Sequence, residues 1–558
     1  MTPGRIGAKP WAMPVARILF VLPLPEPFDY AVPDGMDVSV GSYVTAPLGQ
    51  TERLGVVWDL LGDEAAAGRE LKPVLSVYDV PPMPTAMREF IGWAAKYTVS
   101  HPGHVLGMSL RARGGLLPSP TETVFHLTGE EPKKLTDTRR RVLDAAEEVG
   151  PANAATLAAA AGVSSGVVKG LVSAGALRAE EMAADAPFAV PQPDLPGADL
   201  TGEQAAAADA LKAAMRAGGF AAFLLDGVTG SGKTEVYFEA IAEALRVDPD
   251  AQVMVLLPEI ALTQAILSRF EERFGAAPAP WHSGLSDKER RRTWRETAHG
   301  QARIVIGARS ALFLPYANLK LIIVDEEHDG SYKQEDGVTY HARDMAVMRA
   351  KLEGAGVVLA SATPALETVV NAEAGRYARL MLAARPGMAR LPDVELVDLR
   401  RAPPEKNHWL SPHLIHAMQE TLAAGEQTLL FLNRRGYAPL VLCKACGERL
   451  KTPGTENWLT EHRYSGRLVC HVTGYSIPKP TVCPSCGAKD SLIGVGPGVE
   501  RVAEEVRVLM PEARIEIFSS DTAMGGDATR GIIERMETGD IDVLIGTQIV
   551  AKGHNFPN

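Results

Sequence analysis

The chain has 558 residues, of which 46% are hydrophobic and 22% are charged, as in an ordinary globular protein of roughly three or four domains. Its net charge of −11 argues against a generally basic nucleic-acid-binding protein but allows local basic clefts. No apolar run approaches the ~20 residues of a membrane span, and the segment 18–24 is too short and proline-broken for a signal peptide. We therefore expect a cytoplasmic protein with no membrane partner. Residues 1–13 are a possible N-terminal extension, with Met13 as an alternative start.

Residues 14–112 have the pattern of a small β-rich domain. Short strands are predicted at 15–22, 42–46 and 53–60, separated by proline and glycine turn signals. Phe28-Asp29-Tyr30 falls in one of these turns. From the residues alone, two aromatics beside a carboxylate are more typical of a packed corner than of a binding site.

Residues 121–182 change to a helical pattern. A helix is predicted over 135–148, a helix–turn–helix over 152–174, and a short β-wing from 175. This pattern predicts a winged-helix domain, whose partner is either DNA or another protein. Residues 183–199 contain four prolines and weak periodicity, so we interpret them as a linker.

Residues 200–385 alternate strands and helices, which predicts a doubly wound parallel sheet. An apolar run at 220–225 leads into a Gly-rich segment that is followed by a predicted helix at 235–246. Strand, Gly-rich loop and helix are the setting of a P-loop, in which backbone N–H groups surround phosphates, Lys233 reaches the β- and γ-phosphates, and Thr234 holds Mg²⁺. The predicted ATP-binding residues of this loop are Gly227, Val228, Thr229, Gly230, Ser231, Gly232, Lys233 and Thr234.

A second motif completes this candidate nucleotide site. The predicted buried strand 321–324 ends in Asp325 and Glu326. Asp325 is placed to hold Mg²⁺, and Glu326 to orient or deprotonate the attacking water. An ordinary acidic turn is the alternative, which a preceding P-loop in the same domain disfavours. Upstream, Gln204 stands where many nucleic-acid motor proteins read adenine with a side-chain amide.

The segment 330–343 follows the acidic cluster and mixes aromatic, basic and glycine residues. Tyr332 and Tyr340 could stack on unpaired bases, while Lys333 and Arg343 could meet phosphates. We therefore interpret it as a DNA-sensing loop, with a surface loop carrying incidental tyrosines as the alternative.

The cysteines cluster in residues 441–490, which interrupt a second sheet pattern that starts at 386–440 and resumes over 491–558. Two Cys-x-x-Cys pairs predict a tetrahedral four-thiolate zinc site rather than disulfides, and a redox pair is the alternative. The four predicted ligands are Cys443, Cys446, Cys483 and Cys486.

The order of these motifs closely resembles that of the PriA family of replication-restart helicases in helicase superfamily 2. The resemblance extends from about Val15 to the last residue and includes GVTGSGKTEVY, LLPEIALT, DEEHDGSYKQEDG, SATPALE, FLNRRGYAP, GVGPGVERV and GTQIVAKGHNFP. It implies a multidomain α/β protein with an N-terminal 3′-DNA-end-binding domain (14–112) and a winged helix (121–182). Two RecA-like parallel-sheet lobes then follow, the second incomplete, with a zinc-binding insertion (441–490).

The resemblance also implies a function. Members of this family are ATP-dependent 3′→5′ DNA helicases that use ATP, Mg²⁺ and Zn²⁺, recognise stalled or abandoned forks and promote primosome assembly. The implied partners are forked DNA with a 3′ leading-strand end, single-stranded DNA, and primosome and single-strand-binding proteins. The family's pocket for the terminal 3′-hydroxyl maps onto Phe28, Asp29, Tyr30, Gly41 and Lys72, which reverses the packed-corner interpretation.

The sequence departs from the family pattern in two places. A second family zinc site would need residues 452, 455, 470 and 473, which are Thr452, Thr455, Cys470 and Thr473 here, so we predict that it is empty. The chain also ends before the family's last arginine motif, so we expect it to bind nucleotide but hydrolyse it poorly. The alternative function is then a non-catalytic scaffold that binds fork DNA. A restriction-type translocase shares the motor motifs but gives no reason for the cysteine insertion.

Overall fold

The structure, a computed structural model, describes residues 14–62, 70–132, 134–183, 185, 187–258, 264–384, 392–405, 408–432, 440–462, 466–470, 472–496, 498–519, 526–547 and 550. The described residues up to 384 form one compact unit, and those from 392 onward form a second.

The N-terminal part is a five-stranded antiparallel sheet with the order β2-β1-β4-β3-β5. The sheet closes on itself, because the Ala31 N–H donates to the Lys72 carbonyl and the Val74 N–H donates to the Ala31 carbonyl. Apolar side chains fill the interior, and we call this closed sheet the N-terminal barrel. Its strands, and the two helices that follow them, are β1 Val15–Phe20, β2 Phe28–Ala31, β3 Tyr43–Leu48, β4 Thr51–Leu61, β5 Ser76–Val77, α1 Thr85–Tyr97 and α2 Pro102–Ser109.

The next segment folds as three helices against a three-stranded antiparallel sheet with the order β7-β6-β8. Its helix starts are set by side-chain caps, since Thr136 accepts from the Arg139 N–H and Asn153 accepts from the Thr156 N–H. The helix–turn–helix and the strand after it lie where the sequence predicts them. The elements are β6 Thr121–Leu127, α3 Asp137–Val149, β7 Ala152–Asn153, α4 Ala154–Ala161, α5 Ser165–Ser173 and β8 Leu177–Ala183.

The rest of the first unit is a seven-stranded sheet in which every neighbouring pair is parallel, with the order β11-β12-β10-β13-β16-β9-β17. We call it the first lobe. Its central strands are buried along their length, as continuous apolar runs predict for a sheet covered on both faces. The elements are α6 Gly202–Ala217, β9 Ala221–Gly227, α7 Lys233–Val247, β10 Gln252–Leu256, α8 Gln264–Phe274, β11 Ala279–Trp281, α9 Asp287–Ala298, β12 Ile304–Gly307, β13 Leu319–Asp325, β14 Lys333–Gln334, β15 Tyr340–His341, α10 Ala342–Glu353, β16 Gly356–Ser361, α11 Leu366–Glu373 and β17 Ala378–Leu382.

The N-terminal barrel and the first lobe share one hydrophobic core. The buried Trp294 of α9 packs edge-on against Tyr43, and its indole N–H donates to the Ser109 carbonyl at 2.7 Å. On the other side, α1 packs against α10. The two parts therefore form a continuous body rather than two separately packed domains.

Apart from Ala183, the last residue of β8, the described residues of the predicted linker have neither helix nor strand, and they pack against the first lobe. The buried Asp185 pairs with Arg291, with both carboxylate oxygens within 3.0 Å of Nη2. Further on, the Gln192 N–H donates to the Phe274 carbonyl, and Arg246 pairs with Asp194. The segment therefore lies along the lobe surface as a strap.

The second unit contains a three-stranded parallel sheet, β18-β25-β24, interrupted in sequence by an insertion built from two small antiparallel sheets. Its elements are α12 Pro412–Ala423, β18 Thr428–Phe431, β19 Leu440–Cys443, β20 Thr460–His462, β21 Arg467–Val469, β22 Ser476–Pro478, β23 Leu492–Val495, α13 Val499–Leu509, β24 Ile515–Phe518, α14 Gly526–Glu537 and β25 Val543–Gly546.

Within the described ranges, no single helix is long and apolar enough to cross a membrane. One pair, α4 with α5, passes by length and composition but is bent by 111°.

Candidate functional site

The Gly-rich loop lies between the end of β9 and the start of α7. Gly230 and Gly232 have φ angles of +79° and +80°, which the loop needs to turn into the helix. A Cβ atom on Gly232 would lie 2.2 Å from the Gln204 amide nitrogen, and one on Gly227 would lie 2.5 Å from the Ser231 hydroxyl. The loop is therefore a tight backbone cradle that side chains at these glycines would fill.

The predicted phosphate-binding side chains lie at the start of α7. Lys233 is nearly buried, and its ammonium donates to the Gly227 carbonyl at 2.9 Å. Ser231 is 1% exposed, and its hydroxyl has no hydrogen-bond partner among the described residues. A cradle of backbone N–H groups, a lysine and an unpaired buried hydroxyl fit a nucleotide's phosphates.

Gln204 supports this loop. Its amide nitrogen donates to the Ser231 carbonyl at 2.8 Å, and its amide oxygen accepts from the Thr201 N–H in a capping box that starts α6. The residue is 4% exposed. Both ends of the amide therefore hold the P-loop in place, and a contact with adenine remains a prediction.

Asp325 lies at the carboxyl end of β13. That strand and β9 lie on either side of β16, so the acid and the P-loop meet at the same edge of the sheet. Burial, and after it the neighbouring Glu326 carboxylate, raises the pKa of Asp325 to about 6. A half-buried carboxylate with a raised pKa beside a lysine and a phosphate cradle is suited to a cation that replaces the proton.

Two hydrogen bonds fix the Asp325 carboxylate. The Tyr237 hydroxyl donates to Oδ2 at 3.1 Å, and the Glu326 N–H donates to Oδ1 at 3.0 Å. Tyr237 is fully buried and lies four residues after Lys233, so both side chains share one face of α7. We did not predict Tyr237 from the sequence, although its four-residue spacing from the lysine could have indicated it.

Glu326 has a φ of +49°, a left-handed conformation that is uncommon for residues other than glycine. Its side chain is 41% exposed, and its carboxylate lies 3.5 Å from His328 Nδ1. Strained backbone of this kind is concentrated at functional sites. A carboxylate that is this exposed suits a group that acts on water.

The acidic segment is connected to the segment 361–368. His328 Nδ1 and the Ser361 hydroxyl form a 2.7 Å hydrogen bond. The buried Glu327 accepts from the Ala365 N–H at 2.7 Å and from the Thr368 hydroxyl at 2.9 Å. Sequence reasoning passed over Glu327, whose buried position a single acidic run does not reveal.

In the segment 330–343, predicted to sense DNA, seven of the fourteen residues are exposed, but both tyrosines and Arg343 are buried in the first lobe. Tyr332 and Tyr340 are 1% and 4% exposed, and the Tyr332 hydroxyl lies 2.6 Å from the Asp325 carbonyl oxygen and 2.9 Å from that of Leu256, so it donates to one of them. Arg343 is buried in an ion pair with Glu327. Buried rings cannot stack on bases in this conformation, so of the four predicted residues only Lys333 presents an exposed side chain.

The residues predicted to form the 3′-end pocket lie in several parts of the N-terminal barrel, and their role in DNA binding stays a prediction. Phe28-Asp29-Tyr30 lies in a strand, paired antiparallel with β1, rather than in the expected turn. Alternate side chains of the strand therefore face opposite sides of the sheet. Phe28 and Tyr30 both approach Phe20, at 6.3 and 5.7 Å between ring centres, whereas Asp29 pairs with Arg17.

Lys72 and Tyr30 converge on the end of β3. The Lys72 ammonium donates to the Gly49 carbonyl, and the Tyr30 hydroxyl donates to the Pro47 carbonyl. Gly41 has a φ of +97° and is packed so closely that a Cβ would lie 2.5 Å from the Met83 carbonyl oxygen. Phe28, at 42% exposed, is the member of the set with an accessible aromatic face.

The four predicted zinc ligands come together in the insertion. Their sulfur atoms all lie within 4.8 Å of one another, with Cys443 and Cys486 at 3.6 Å and Cys446 and Cys483 at 3.8 Å. Tetrahedral coordination at a Zn–S distance of about 2.3 Å places sulfurs about 3.8 Å apart. The thiols are thus spaced as a zinc site requires.

The positions of the second family zinc site include a backbone turn like those of the two cysteine pairs, but Cys470 is their single thiol. In each Cys-x-x-Cys turn the first cysteine's carbonyl accepts from a glycine four residues on, Gly447 or Gly487, and Cys470 makes the same bond with Gly474. Burial raises the pKa of Cys470, but the Thr452 and Thr473 hydroxyls that face the thiol outweigh it and lower the pKa to about 7. One thiol among Thr452, Thr455 and Thr473 is a poor donor set for zinc.

Some predicted motif segments lie outside the described residues: 259–263, 433–439, 548–549 and 551–558. Gly546 and Thr547 are described, and Thr547 is buried at the end of β25.

Comparison with known proteins gives matches along most of the chain. The model of a 3'DNA-binding domain (3'BD) matches residues 17–111, and that of a DEAD/DEAH box helicase matches residues 203–372. The chain is 35% identical to the replication restart protein PriA of Rickettsia conorii over 550 residues, covering 98% of this chain and 73% of the relative. It is 34% identical to that of Haemophilus influenzae over 562 residues, covering 98% and 76%. With that of Bacillus subtilis it shares 42% identity over 360 residues, covering 64% and 44%.

Solved structures give more distant matches. RecG bound to a three-way DNA junction is 16% identical, with a TM-score of 0.38, over 63% of this chain and 36% of that one. The DEAD-box helicase Mss116 bound to single-stranded RNA is 13% identical, with a TM-score of 0.37, over 65% and 64%.

Proposed function

The chain belongs to the PriA family of replication restart proteins, and we propose that it is an ATP-dependent 3′→5′ DNA helicase. In this proposal it recognises stalled or abandoned replication forks and promotes primosome assembly in the cytoplasm. Its partners are forked DNA with a 3′ leading-strand end, single-stranded DNA, and primosome and single-strand-binding proteins.

The geometry at one edge of the first lobe's sheet supports the proposed ATP-dependent activity. The P-loop follows β9, the acidic pair follows β13, and Tyr237 links the two by its bond to Asp325. Such an arrangement supports binding of ATP with Mg²⁺, which supplies charge neutralisation at the phosphates when bound. Lys233 and the loop N–H groups would hold the phosphates, Thr234 and Asp325 the cation, and Glu326 would orient water.

The N-terminal barrel supports the recognition part. Phe28 offers an exposed aromatic face, and Lys72 is exposed beside the β3 turn. An aromatic face and a nearby ammonium suit a terminal base and its phosphate. Because the barrel and the first lobe share a core, a DNA end held there would keep a fixed distance from the nucleotide site.

The insertion supports one structural zinc ion, held by Cys443, Cys446, Cys483 and Cys486. A four-thiolate site closes a small domain whose hydrophobic core is limited.

ATP hydrolysis by the 558-residue chain, with and without a fork bearing a 3′ leading-strand end, tests the catalytic proposal. A Lys233→Ala variant, which lacks the ammonium that binds the phosphates, provides the background rate of hydrolysis, which serves as the blank. DNA-stimulated turnover well above this blank is expected of a helicase. Turnover at the level of the blank, with fork binding intact, would instead indicate a DNA-binding scaffold.

Fork binding tests the recognition proposal. We expect a fork ending in a 3′-hydroxyl at the junction to bind several-fold more tightly than the same fork with a 3′-phosphate. Phe28→Ala should reduce that preference. Equal binding of the two forks by the unmodified chain would contradict the end-recognition role.

A further inference from the structure

The insertion carries an exposed aromatic side chain that contacts two cations. Trp458 is 39% exposed, the Arg449 guanidinium lies 4.7 Å from its ring centre, and the Lys451 ammonium lies 5.5 Å from it. These three residues belong neither to the nucleotide site nor to the four zinc ligands. We call them the Trp458 patch.

The sequence pattern explains why the three side chains share a face. Lys451 and Trp458 are paired across an antiparallel bridge, so they project to the same side. Arg449 lies two residues before Lys451 and therefore projects to that side as well. The residues that alternate with them, Leu450 and Leu459, are buried in the insertion's core and anchor the hairpin.

The charge of the patch is only partly balanced within the protein. Lys451 forms an ion pair with Glu456. Arg449 is exposed, and in the part of the chain that the structure describes no acidic side chain lies within ion-pair distance of it. One guanidinium without an acidic partner among the described residues therefore lies over a partly exposed indole ring.

The surroundings are basic in comparison with the rest of the chain. Residues 440–495 contain seven Lys and Arg and four Asp and Glu, a formal charge of +3. Four thiolates with one Zn²⁺ contribute −2, which leaves +1 in a chain whose total is −11. The insertion is thus locally attractive to a polyanion.

We propose that the Trp458 patch is a contact site for single-stranded DNA. One base stacks on the exposed part of the Trp458 ring, and Arg449 and Lys451 meet the adjoining phosphates. Stacking on an aromatic beside cations is the usual way in which proteins bind unpaired bases without sequence preference. The zinc knuckles give this contact a rigid base, because the Cys443-x-x-Cys446 turn directly precedes the hairpin. The choice of single-stranded DNA as the partner rests on the proposed function, whereas the geometry of the patch does not depend on it.

Photo-crosslinking gives the most direct test. A single-stranded oligonucleotide with 5-iododeoxyuridine at successive positions is irradiated with the full chain, and crosslinked peptides are mapped. We expect a crosslink at Trp458. Its absence from residues 449–459 at every position, with crosslinks elsewhere in the chain, would overturn the inference while leaving the proposed function standing.

Binding of a labelled oligothymidylate by matched variants gives the second test. We expect Trp458→Ala to weaken binding roughly 5- to 50-fold and Trp458→Phe to retain most of it, because an aromatic face remains. Arg449→Gln should weaken binding and reduce its salt dependence, since one phosphate contact is lost. Arg467→Gln removes the same charge from a neighbouring hairpin, where Arg467 bonds Ser476, and should have little effect.

Zinc content measured on each variant separates loss of the site from loss of the fold. If Trp458→Ala loses zinc, the inference is tested by the binding of Trp458→Phe and Arg449→Gln instead. Unchanged binding by all patch variants would overturn the inference. A chain that binds no single-stranded DNA at all would overturn both the inference and the proposed function.

Discussion

The hydroxyl of Tyr237 donates a hydrogen bond to Oδ2 of Asp325 at 3.1 Å. It thereby joins the helix that follows the P-loop to the strand that carries the acidic pair. Tyr237 is fully buried, so the bond is shielded from water and restricts the rotation of the carboxylate. We infer that Tyr237 positions Asp325 for the cation that accompanies the nucleotide.

Tyr237→Phe should therefore raise the Mg²⁺ concentration needed for half-maximal binding of a fluorescent ATP analogue. A hydrogen bond to a charged group contributes about 1.5–3 kcal/mol, and because Mg²⁺ replaces part of it we expect a shift of roughly 3- to 10-fold. Binding at saturating Mg²⁺ should change little. Tyr316→Phe is a matched control, since Tyr316 is also fully buried and its hydroxyl has no hydrogen-bond partner among the described residues. An equal shift in both variants would show that the effect is not specific to Asp325.

The raised pKa of Asp325 predicts a pH dependence of stability in the absence of nucleotide. Burial and then Glu326 raise this pKa from 3.8 to about 6. Between about pH 4 and pH 6 the folded chain binds the proton more tightly than the unfolded chain does, so the free energy of unfolding falls as pH rises through that window.

Asp325→Asn should consequently stabilise the ligand-free protein at pH 7.5, by about 1–3 kcal/mol, because it removes a half-buried charge. At pH 5 the gain should be smaller, since the wild-type carboxyl is then largely protonated. Denaturant unfolding of both proteins at the two pH values measures the difference. An equal increase in the free energy of unfolding at pH 5 and pH 7.5 would contradict the raised pKa of Asp325.

Metal analysis should find one zinc ion per chain. Cys483→Ser should remove it, because a four-thiolate site loses much of its affinity with one ligand. Cys470→Ser should retain it, since Cys470 lies in the turn that lacks partner thiols. A second zinc ion in the wild-type chain, lost in Cys470→Ser, would show that the threonine-rich turn binds metal after all.

The same turn offers a gain-of-function test. Because Cys470 already has the backbone bonds of the two cysteine knuckles, the triple variant Thr452→Cys, Thr455→Cys, Thr473→Cys should bind a second zinc ion. We expect the metal content to rise from one to two per chain. An unchanged content would mean that the Thr452 turn does not bring its side chains close enough to Cys470.

Arg349 lies where the N-terminal barrel meets the first lobe, and we expect its removal to lower the free energy of unfolding. It is fully buried, donates to Glu353 at 2.7 Å and to the Leu312 carbonyl at 3.0 Å, and lies over the Phe90 ring of α1. Arg349→Ala should lower the free energy of unfolding by about 3–5 kcal/mol, because it leaves Glu353 unpaired.

The partner mutation distinguishes charge from packing. Arg349→Met combined with Glu353→Gln should recover much of the stability, since no unpaired charge remains. Thermal unfolding of the two proteins provides the comparison. If the double variant is as unstable as Arg349→Ala, the loss comes from packing around Phe90 rather than from the charge.

Local patterns in the sequence were sufficient for much of this protein. The α/β class and the parallel sheet were predicted and are confirmed, because continuous apolar runs that alternate with helical segments have few other solutions. The P-loop and the acidic pair were recognisable for the same reason, since each is a contiguous motif. The spacing of the two Cys-x-x-Cys pairs was enough to predict a cluster, and the four thiols do converge.

Other features depended on the tertiary fold. Tyr332 and Tyr340 were predicted to face DNA, but whether a tyrosine in a loop is exposed depends on what the fold packs over it, and here both are buried. The segment 183–199 has the composition of a linker, yet its Asp185 is fixed by Arg291, which is 106 residues away in sequence. Long-range partners such as Tyr237 with Asp325, or Trp294 with Ser109, leave no local pattern. They arise only when helices and strands that are distant in the chain pack against one another.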